Sequence, residues 1–282
     1  MTRPIARSYL YVPADNKERL AKAITRGADA LIIDLEDSVS PAQKSQARQN
    51  LKDFFETFES AIEVWVRVNS EQKELVQDLE AAVNINCRGI VLAKVDSVSN
   101  INNLQSMLSE FEIEKSLATP LEISALIESA NGIFNAREIA LADRVSRLQI
   151  GEADLSAELG ISGAGSTDSK QFARNMVVYA SAAAAINLPI AAMSSDFKNL
   201  DEFRKSTVQF KEWGYFGRSC IHPDQVAIVN EVFTPSASEI ENAQDILKRL
   251  NASGGGVALD ANGRMIDEAH ARSARRILEI GK

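Results

Sequence analysis

The chain predicts an α/β fold: a closed TIM (β/α)8 barrel with a C-terminal extension of helices and a hairpin. Three observations lead there. Short apolar runs alternate with amphipathic segments through eight strand–helix repeats, the pattern of a parallel sheet covered by helices. The turn after the first run, Pro13-Ala14-Asp15-Asn16, lacks the glycine-rich phosphate fingerprint that an open doubly wound sheet places there. Charged residues stand directly after several apolar runs, which in a barrel brings them to one rim.

The elements follow in order. Tyr9–Val12 is the first strand, closed by Pro13. Asp15 is the expected N-cap of the first helix, with Glu18 completing a capping box, Leu20 and Ile24 facing inward and Gly27 ending it. Ala30–Ile33 is the second strand, with Asp34-Leu35-Glu36-Asp37 as its polar exit. Ser40, Pro41 and Gln43 open a second helix that runs toward Phe58. Glu63–Val68 and Gly89–Leu92 are strands three and four, with helix Glu71–Val83 between them. In the next helix Ile101, Leu104, Leu108 and Phe111 share one face. Leu121–Ile127 is strand five, Gly132–Leu141 its helix, and Val145–Ile150 strand six. A Gly/Ser-rich loop is expected over Gly151–Thr167, then an Ala-rich helix to about Ile186. Leu188–Ala192 and Gly217–Ile221 are strands seven and eight, flanking helix Asp201–Trp213, and Pro223 opens the last barrel helix.

The expected domains are a barrel over residues 1–233 and an extension over 234–282. In the extension Ser236 caps a helix with Glu239 at its third position. Gly254–Gly256 is a flexible joint, Ala261-Asn262-Gly263 turns a hairpin, and Asp267–Ile280 is the final helix.

The 282 residues suit one large barrel. A net charge of −8 excludes a global basic field for nucleic acid, though not a local anion site. Cys87 and Cys220 form neither a metal-like nor a disulfide-framework spacing, which points to a reducing, cytoplasmic setting. Residues Met1 to Arg7 lack an apolar signal core, and no apolar run is long enough for a bilayer, so no membrane partner is expected.

Glu128 and Asp154 each follow a strand-like run. Two hard carboxylates with open positions for water and a chelating substrate are the usual Mg²⁺ arrangement. Each also reads as a helix-capping residue, and Glu152 is an alternative to Asp154 on spacing alone. Arg67 is a charge inside an apolar run. Such an arginine needs an anionic partner: a substrate carboxylate or enolate oxygen, or an ion pair with Glu36 or Asp37. Lys94 reads as a structural ion pair at the rim or as a Schiff-base lysine. Asp34, Glu36 and Asp37 crowd one loop and need cations nearby; they orient Arg67 or hold metal-bound waters. His222 is taken as structural, His270 as a surface residue, and Lys17, Arg19 and Lys22 as a solvated basic cluster able to meet cofactor phosphates.

Several segments, in shared order, resemble the citrate lyase β-subunit-like family of the HpcH/HpaI aldolase superfamily. They are Arg7-Ser8-Tyr9-Leu10-Tyr11-Val12-Pro13, Asp34-Leu35-Glu36-Asp37, Arg67-Val68-Asn69, Ile127-Glu128-Ser129-Ala130, Gly151-Glu152-Ala153-Asp154-Leu155, Ile221-His222-Pro223 and Gly263-Arg264-Met265-Ile266-Asp267. The resemblance implies a TIM barrel, commonly trimeric, that binds Mg²⁺ and acts on acyl-CoA or acyl-carrier thioesters. It implies Glu128 and Asp154 as metal ligands and Arg67 as the contact to substrate or enolate oxygen. Tyr11, Lys22, Ser195 and Asp196 would line the CoA thioester, with Glu36, Asp37 and Lys94 in support. Asp267 would be the acid/base, supplied by a neighbouring subunit. One departure stands out: relatives often carry Leu-Pro-Lys where this chain has Leu92-Ala93-Lys94.

The expected reaction is Mg²⁺-dependent cleavage of a 3-hydroxyacyl-CoA, of citramalyl-CoA or malyl-CoA type, to acetyl-CoA and a 2-oxo acid by a homotrimer. Alternatives are a citrate lyase β subunit acting on a citryl thioester, a malate-synthase-like or thioesterase activity on the same metal, and a CoA- or carrier-binding assembly subunit without turnover.

Overall fold

The computed structural model describes residues 5–162, 166–254 and 256–281. Two expected features lie partly outside them: Gly163-Ala164-Gly165 of the long loop and Gly255 of the joint. The chain divides into two compact units, Arg7–Asn230 and a C-terminal unit from Glu231 that also takes in Ile5 and Ala6.

In the larger unit seven strands run parallel in the order β6-β5-β4-β3-β2-β1-β7. They are β1 Ser8–Pro13, β2 Ala30–Asp34, β3 Glu63–Val68, β4 Gly89–Leu92, β5 Glu122–Ile127, β6 Val145–Ile150 and β7 Arg218–Cys220. The helices are α1 Lys17–Ala23, α2 Lys44–Glu56 after a 3₁₀ turn Pro41–Gln43, α3 Gln72–Ala82 and α4 Val98–Glu114. Further along come α5 Ala130–Phe134, α6 Ala136–Ala140, α7 Glu152–Leu159, α8 Ser166–Ala183, α9 Leu200–Glu212 and α10 Pro223–Phe233. Buried Val, Ile and Leu on both faces of β2 to β5 mark a curled sheet covered by helices outside and packed within, the TIM-barrel type expected.

The seventh expected strand is reduced to two isolated bridges, Gln149 with Ile190 and Ala191 with Arg218. Pro189 has no N–H to donate, and the Leu188 carbonyl is taken by Arg147 Nε at 2.6 Å, so a regular ladder cannot form. The segment still bonds both ways: Ile190 N–H donates to Leu148 and Ala191 N–H to Gly217. It thereby links β6 to β7 and brings the two edges of the sheet together.

The interior follows the period of two along each strand. Tyr9, Tyr11, Ile32, Asp34, Trp65, Arg67, Ser124, Arg147 and Gln149 share the inward face through the registers of adjacent strands. Trp65 fills the lower end, and Gly89 is glycine for that reason: a Cβ there would stand 2.5 Å from the indole ring.

Three local expectations are corrected. The N-cap of α1 is Asn16 rather than Asp15; its side chain accepts from Arg19 N–H. Gly132–Leu141 is two short helices, α5 and α6, meeting at Asn135. The stretch after Gly151 is no simple loop: Glu152–Leu159 is helical, and Gly160 ends it at φ +64°.

In the C-terminal unit α11 Ala237–Ala252 begins with the expected Ser236–Glu239 capping box, and the hairpin pairs β8 Ala258–Leu259 with β9 Met265–Ile266. α12 Glu268–Ile280 is capped by Asp267. Leu250, Ile266 and Ala271 form the unit's small core.

Candidate active site

The C-terminal ends of β2, β3, β4 and β5 carry the charged residues, as the alternation of the chain requires. Asp34 ends β2 and is the register partner of Arg67 on β3. Arg67 is almost wholly buried, and Asp34 accepts from its Nε at 2.7 Å and its Nη2 at 2.6 Å. Glu36 Oε2 lies 3.2 Å from Nη1. Burial alone would lower the Arg67 pKa; the bonds and charge of Asp34 outweigh it and hold the guanidinium ionised. Burial likewise acts to raise Asp34, but Arg67 and Ser38 keep its carboxyl below the usual range. The Tyr11 ring lies under the guanidinium at 5.1 Å.

Lys94 follows β4. Its ammonium lies 2.6 Å from Glu36 Oε1 and 3.1 Å from Asp37 Oδ1. Burial opposes its charge, yet these two carboxylates raise its pKa. A lysine so paired is held in its protonated form, which favours the ion-pair reading over the Schiff-base one. Beside this pair a cavity of about 310 Å³ opens among Glu36, Asp37, Lys44, Asn69, Glu71 and Lys94.

Glu128 stands after β5, only 6% exposed, and its Oε1 accepts the Lys94 N–H at 2.7 Å. Burial pushes its carboxyl up to about 8; the amide of Lys94 opposes this, while the charges of Asp154 and Glu36 add to it. Gly151, after β6, lies against Glu128 so closely that a Cβ there would fall 2.5 Å from Oε2. The alternative ligand Glu152 is engaged elsewhere: Arg174 grips both its oxygens, at 2.6 and 2.7 Å, and Lys170 adds a third contact at 2.9 Å. Asp154, in the first turn of α7, is exposed and makes no hydrogen bond or ion pair to another described residue.

No group of three or more His, Cys, Asp or Glu side chains is placed to hold a metal ion among the described residues. The donor set nevertheless fits a hard dication. A buried carboxylate whose ionisation is opposed by its surroundings, next to a second exposed carboxylate, is a place where added positive charge relieves a cost. Two oxygen donors also leave positions open for water and substrate, as Mg²⁺ demands.

The remaining expected residues are placed as follows. Tyr11 sends its hydroxyl to Gln149 Oε1 at 3.1 Å, into the barrel floor, and Gln149 donates to Ser124. Lys22 is exposed on α1, 3.6 Å from Glu18. Ser195 and Asp196 are exposed in the turn before α9, where Asp196 Oδ1 accepts from the amides of Lys198 and Asn199. His222 stacks on Phe197 at 5.1 Å. Asp267, in the C-terminal unit, accepts from the Ala269 and His270 amides and lies 2.9 Å from His270 Nδ1. Those contacts, the His270 ring first, hold its carboxyl below the usual range.

Two supports went unnoticed in the sequence. The inward pair Arg147 and Gln149 on β6 was signalled by polar residues two apart in an apolar run. Asn69, after Arg67, is fixed by Asp78, which is fully buried and also receives Arg48 Nε at 2.7 Å. Nothing in a single sequence links positions 48, 69 and 78.

The chain is similar to known proteins along nearly its whole length. The chain is 31% identical to the citrate lyase subunit beta of Leuconostoc mesenteroides over 98% of its own length and 93% of that protein. It is 32% identical to a (3S)-malyl-CoA thioesterase and 30% identical to an L-malyl-CoA/beta-methylmalyl-CoA lyase, both of Cereibacter sphaeroides, each over 96% of this chain and 93% of the relative. Among solved structures, the protein CitE of Mycobacterium tuberculosis in complex with magnesium, acetoacetate and coenzyme A superposes with a TM-score of 0.80 at 28% identity, over 98% of both chains. The HpcH/HpaI aldolase/citrate lyase profile matches residues 7–223, and the chain belongs to that family.

Proposed function

We propose that the protein is a Mg²⁺-dependent carbon–carbon lyase that cleaves a 3-hydroxyacyl-CoA of citramalyl-CoA or malyl-CoA type to acetyl-CoA and a 2-oxo acid. The observation that carries this reading is the buried Glu128 carboxylate, beside Asp154, on the same rim as an arginine clamped by Asp34. The lyase names of its relatives and the magnesium and coenzyme A bound by the similar CitE structure support it.

Glu128 and Asp154 would hold the Mg²⁺, which when bound supplies Lewis-acid polarisation and two extra positive charges. Arg67 is ionised and fixed, and its guanidinium faces a thioester oxygen that gains negative charge as the bond breaks. The hydroxyl proton passes to solvent, the oxygen forms the carbonyl of the departing 2-oxo acid, the carbon–carbon pair moves into the thioester enolate, and one proton returned at the enolate carbon yields acetyl-CoA. Asp267 is the proton donor in this reading. Its depressed pKa in the isolated chain favours the carboxylate, so a role as acid calls for a changed setting beside a neighbouring subunit's barrel. Tyr11, Lys22, Ser195 and Asp196 would line the thioester. The reading includes a homotrimer of two-domain chains, residues 1–233 and 234–282, in the cytoplasm. The two free buried cysteines support a reducing setting, and no helix among the described residues is long and apolar enough to cross a membrane.

A second reading, thioester hydrolysis on the same site, is favoured by the malyl-CoA thioesterase relatives. One experiment separates the two. The purified protein is given Mg²⁺ and citramalyl-CoA, or Mg²⁺ and malyl-CoA, and products are followed by chromatography. Acetyl-CoA with pyruvate or glyoxylate means cleavage, whereas free CoA with intact citramalate or malate means hydrolysis. No product from either thioester, with no Mg²⁺ binding in calorimetry, overturns both.

A further inference from the structure

Lys94 touches both halves of the site. Through its backbone it donates to the Glu128 carboxylate at 2.7 Å. Through its side chain it holds Glu36 Oε1 at 2.6 Å, and the other oxygen of Glu36 lies 3.2 Å from Arg67 Nη1. We propose that Lys94 is a positioning residue that aligns the metal-binding carboxylate with the arginine that meets the enolate. This rests on the lyase reading above and adds to it a residue that acts without touching substrate.

The backbone gives the first argument. Lys94 has φ +55°, a left-handed conformation that glycine adopts freely and a lysine adopts at a cost. That turn aims its amide at Glu128. Were the turn the only requirement, glycine would serve better, so the side chain must contribute something that offsets the strain. The side chain gives the second. Lys94 is half exposed, where an ordinary ion pair contributes little. Its partner Glu36 is buried, however, and lies between two cations, Lys94 on one oxygen and Arg67 on the other. Glu36 is also fixed from below, since Lys44 Nζ bonds the Leu35 and Glu36 carbonyls at 2.8 and 3.0 Å. The ammonium is therefore the outer end of a chain, Lys94–Glu36–Arg67, whose inner end presents a guanidinium nitrogen to the site.

The test compares Lys94→Gly, Lys94→Arg, Glu36→Gln and the double variant Lys94→Gly/Glu36→Gln with the parent. Mg²⁺ affinity is read by calorimetry and turnover with citramalyl-CoA or malyl-CoA, whichever the parent cleaves. Lys94→Gly keeps the turn and loses the ammonium. It is expected to hold Mg²⁺ within about threefold of the parent and to lower kcat roughly 10- to 100-fold with little change in KM. Lys94→Arg restores most of kcat. The double variant is no slower than Glu36→Gln alone, because both changes cut one chain. Glu36→Gln leaves the turn untouched and carries the test if Lys94→Gly does not fold. A kcat for Lys94→Gly within about twofold of the parent, no rescue by arginine, or losses that multiply in the double variant overturns the proposal. Arg67→Lys and Glu128→Gln run alongside: if these too keep full turnover, the lyase site itself is wrong, whereas their loss with an unaffected Lys94 series rejects the positioning role alone.

Discussion

Gly151 and Glu128 are in backbone-to-side-chain contact: a Cβ at position 151 would lie 2.5 Å from Glu128 Oε2 and 2.6 Å from its Cβ. The glycine sets where the carboxylate can stand. Gly151→Ala should displace Glu128, and overpacking of this kind costs about 1–3 kcal/mol. The expected result is a folded barrel by circular dichroism whose Mg²⁺ affinity falls roughly tenfold or more. Calorimetry showing parental affinity would separate the glycine from the site.

Arg67 is gripped through two parallel bonds that a lysine cannot reproduce. Arg67→Lys should lower kcat roughly 100- to 1,000-fold if the guanidinium stabilises the enolate, with smaller change in KM. Asp34→Ala should act differently. It leaves a buried guanidinium short of its main partner, at a cost of about 3–5 kcal/mol, which thermal unfolding would show as a large drop in midpoint.

The pH dependence of the metal-free protein has a defined sign. Glu128 is pushed up from 4.5 to about 8, so between those values the folded chain keeps a proton that the unfolded chain has released. The stability this group contributes is full below the lower value and is lost as pH rises through the upper one, by on the order of a few kcal/mol. Unfolding midpoints in a chelator should fall from pH 5.5 to pH 8.5 more steeply for the parent than for Glu128→Gln. Added Mg²⁺ should raise the midpoint at pH 8.5 and do little at pH 5.5. A parent and a glutamine variant with parallel profiles would show that Glu128 ionises normally.

Asp267→Asn should leave Mg²⁺ binding to the barrel unchanged and abolish acetyl-CoA formation. Asparagine caps a helix about as well as aspartate, so the start of α12 should keep its stability and any loss of turnover reports the carboxylate itself. His270→Ala keeps the Asp267 side-chain cap, loses the reciprocal bond from the Asp267 amide to the ring, and frees the carboxylate from its ring partner, which should raise the pH at which turnover falls off. Full activity in Asp267→Asn, by product chromatography, removes this residue from the mechanism.

Much of this was readable from residue order, because apolar runs and their polar exits obey local rules. β1 to β6 follow their predicted runs, and Arg67, Lys94 and Glu128 stand at the ends expected for them. The misses have physical causes. Pro189 denied the seventh strand its ladder despite an apolar run. α7 was hidden because glycines and serines flank Glu152–Leu159 and drew attention from its helix-forming centre. Spacing could not show that Glu152 is engaged by Arg174, two turns into a later helix, while Asp154 is not. Contacts that join residues distant along the chain, such as Arg48 with Asp78, leave no trace in one sequence.

The segment that joins β6 to β7 is flanked by two buried arginines, each spending its Nε on a main-chain oxygen: Arg147 on Leu188 and Arg218 on Ala192. Where strand pairing thins to single bridges, guanidinium groups act as rivets. Circumferential integrity at that point thus depends on side-chain chemistry, and amide exchange at Ile190 and Ala191 should report any slackening there before the rest of the ring responds.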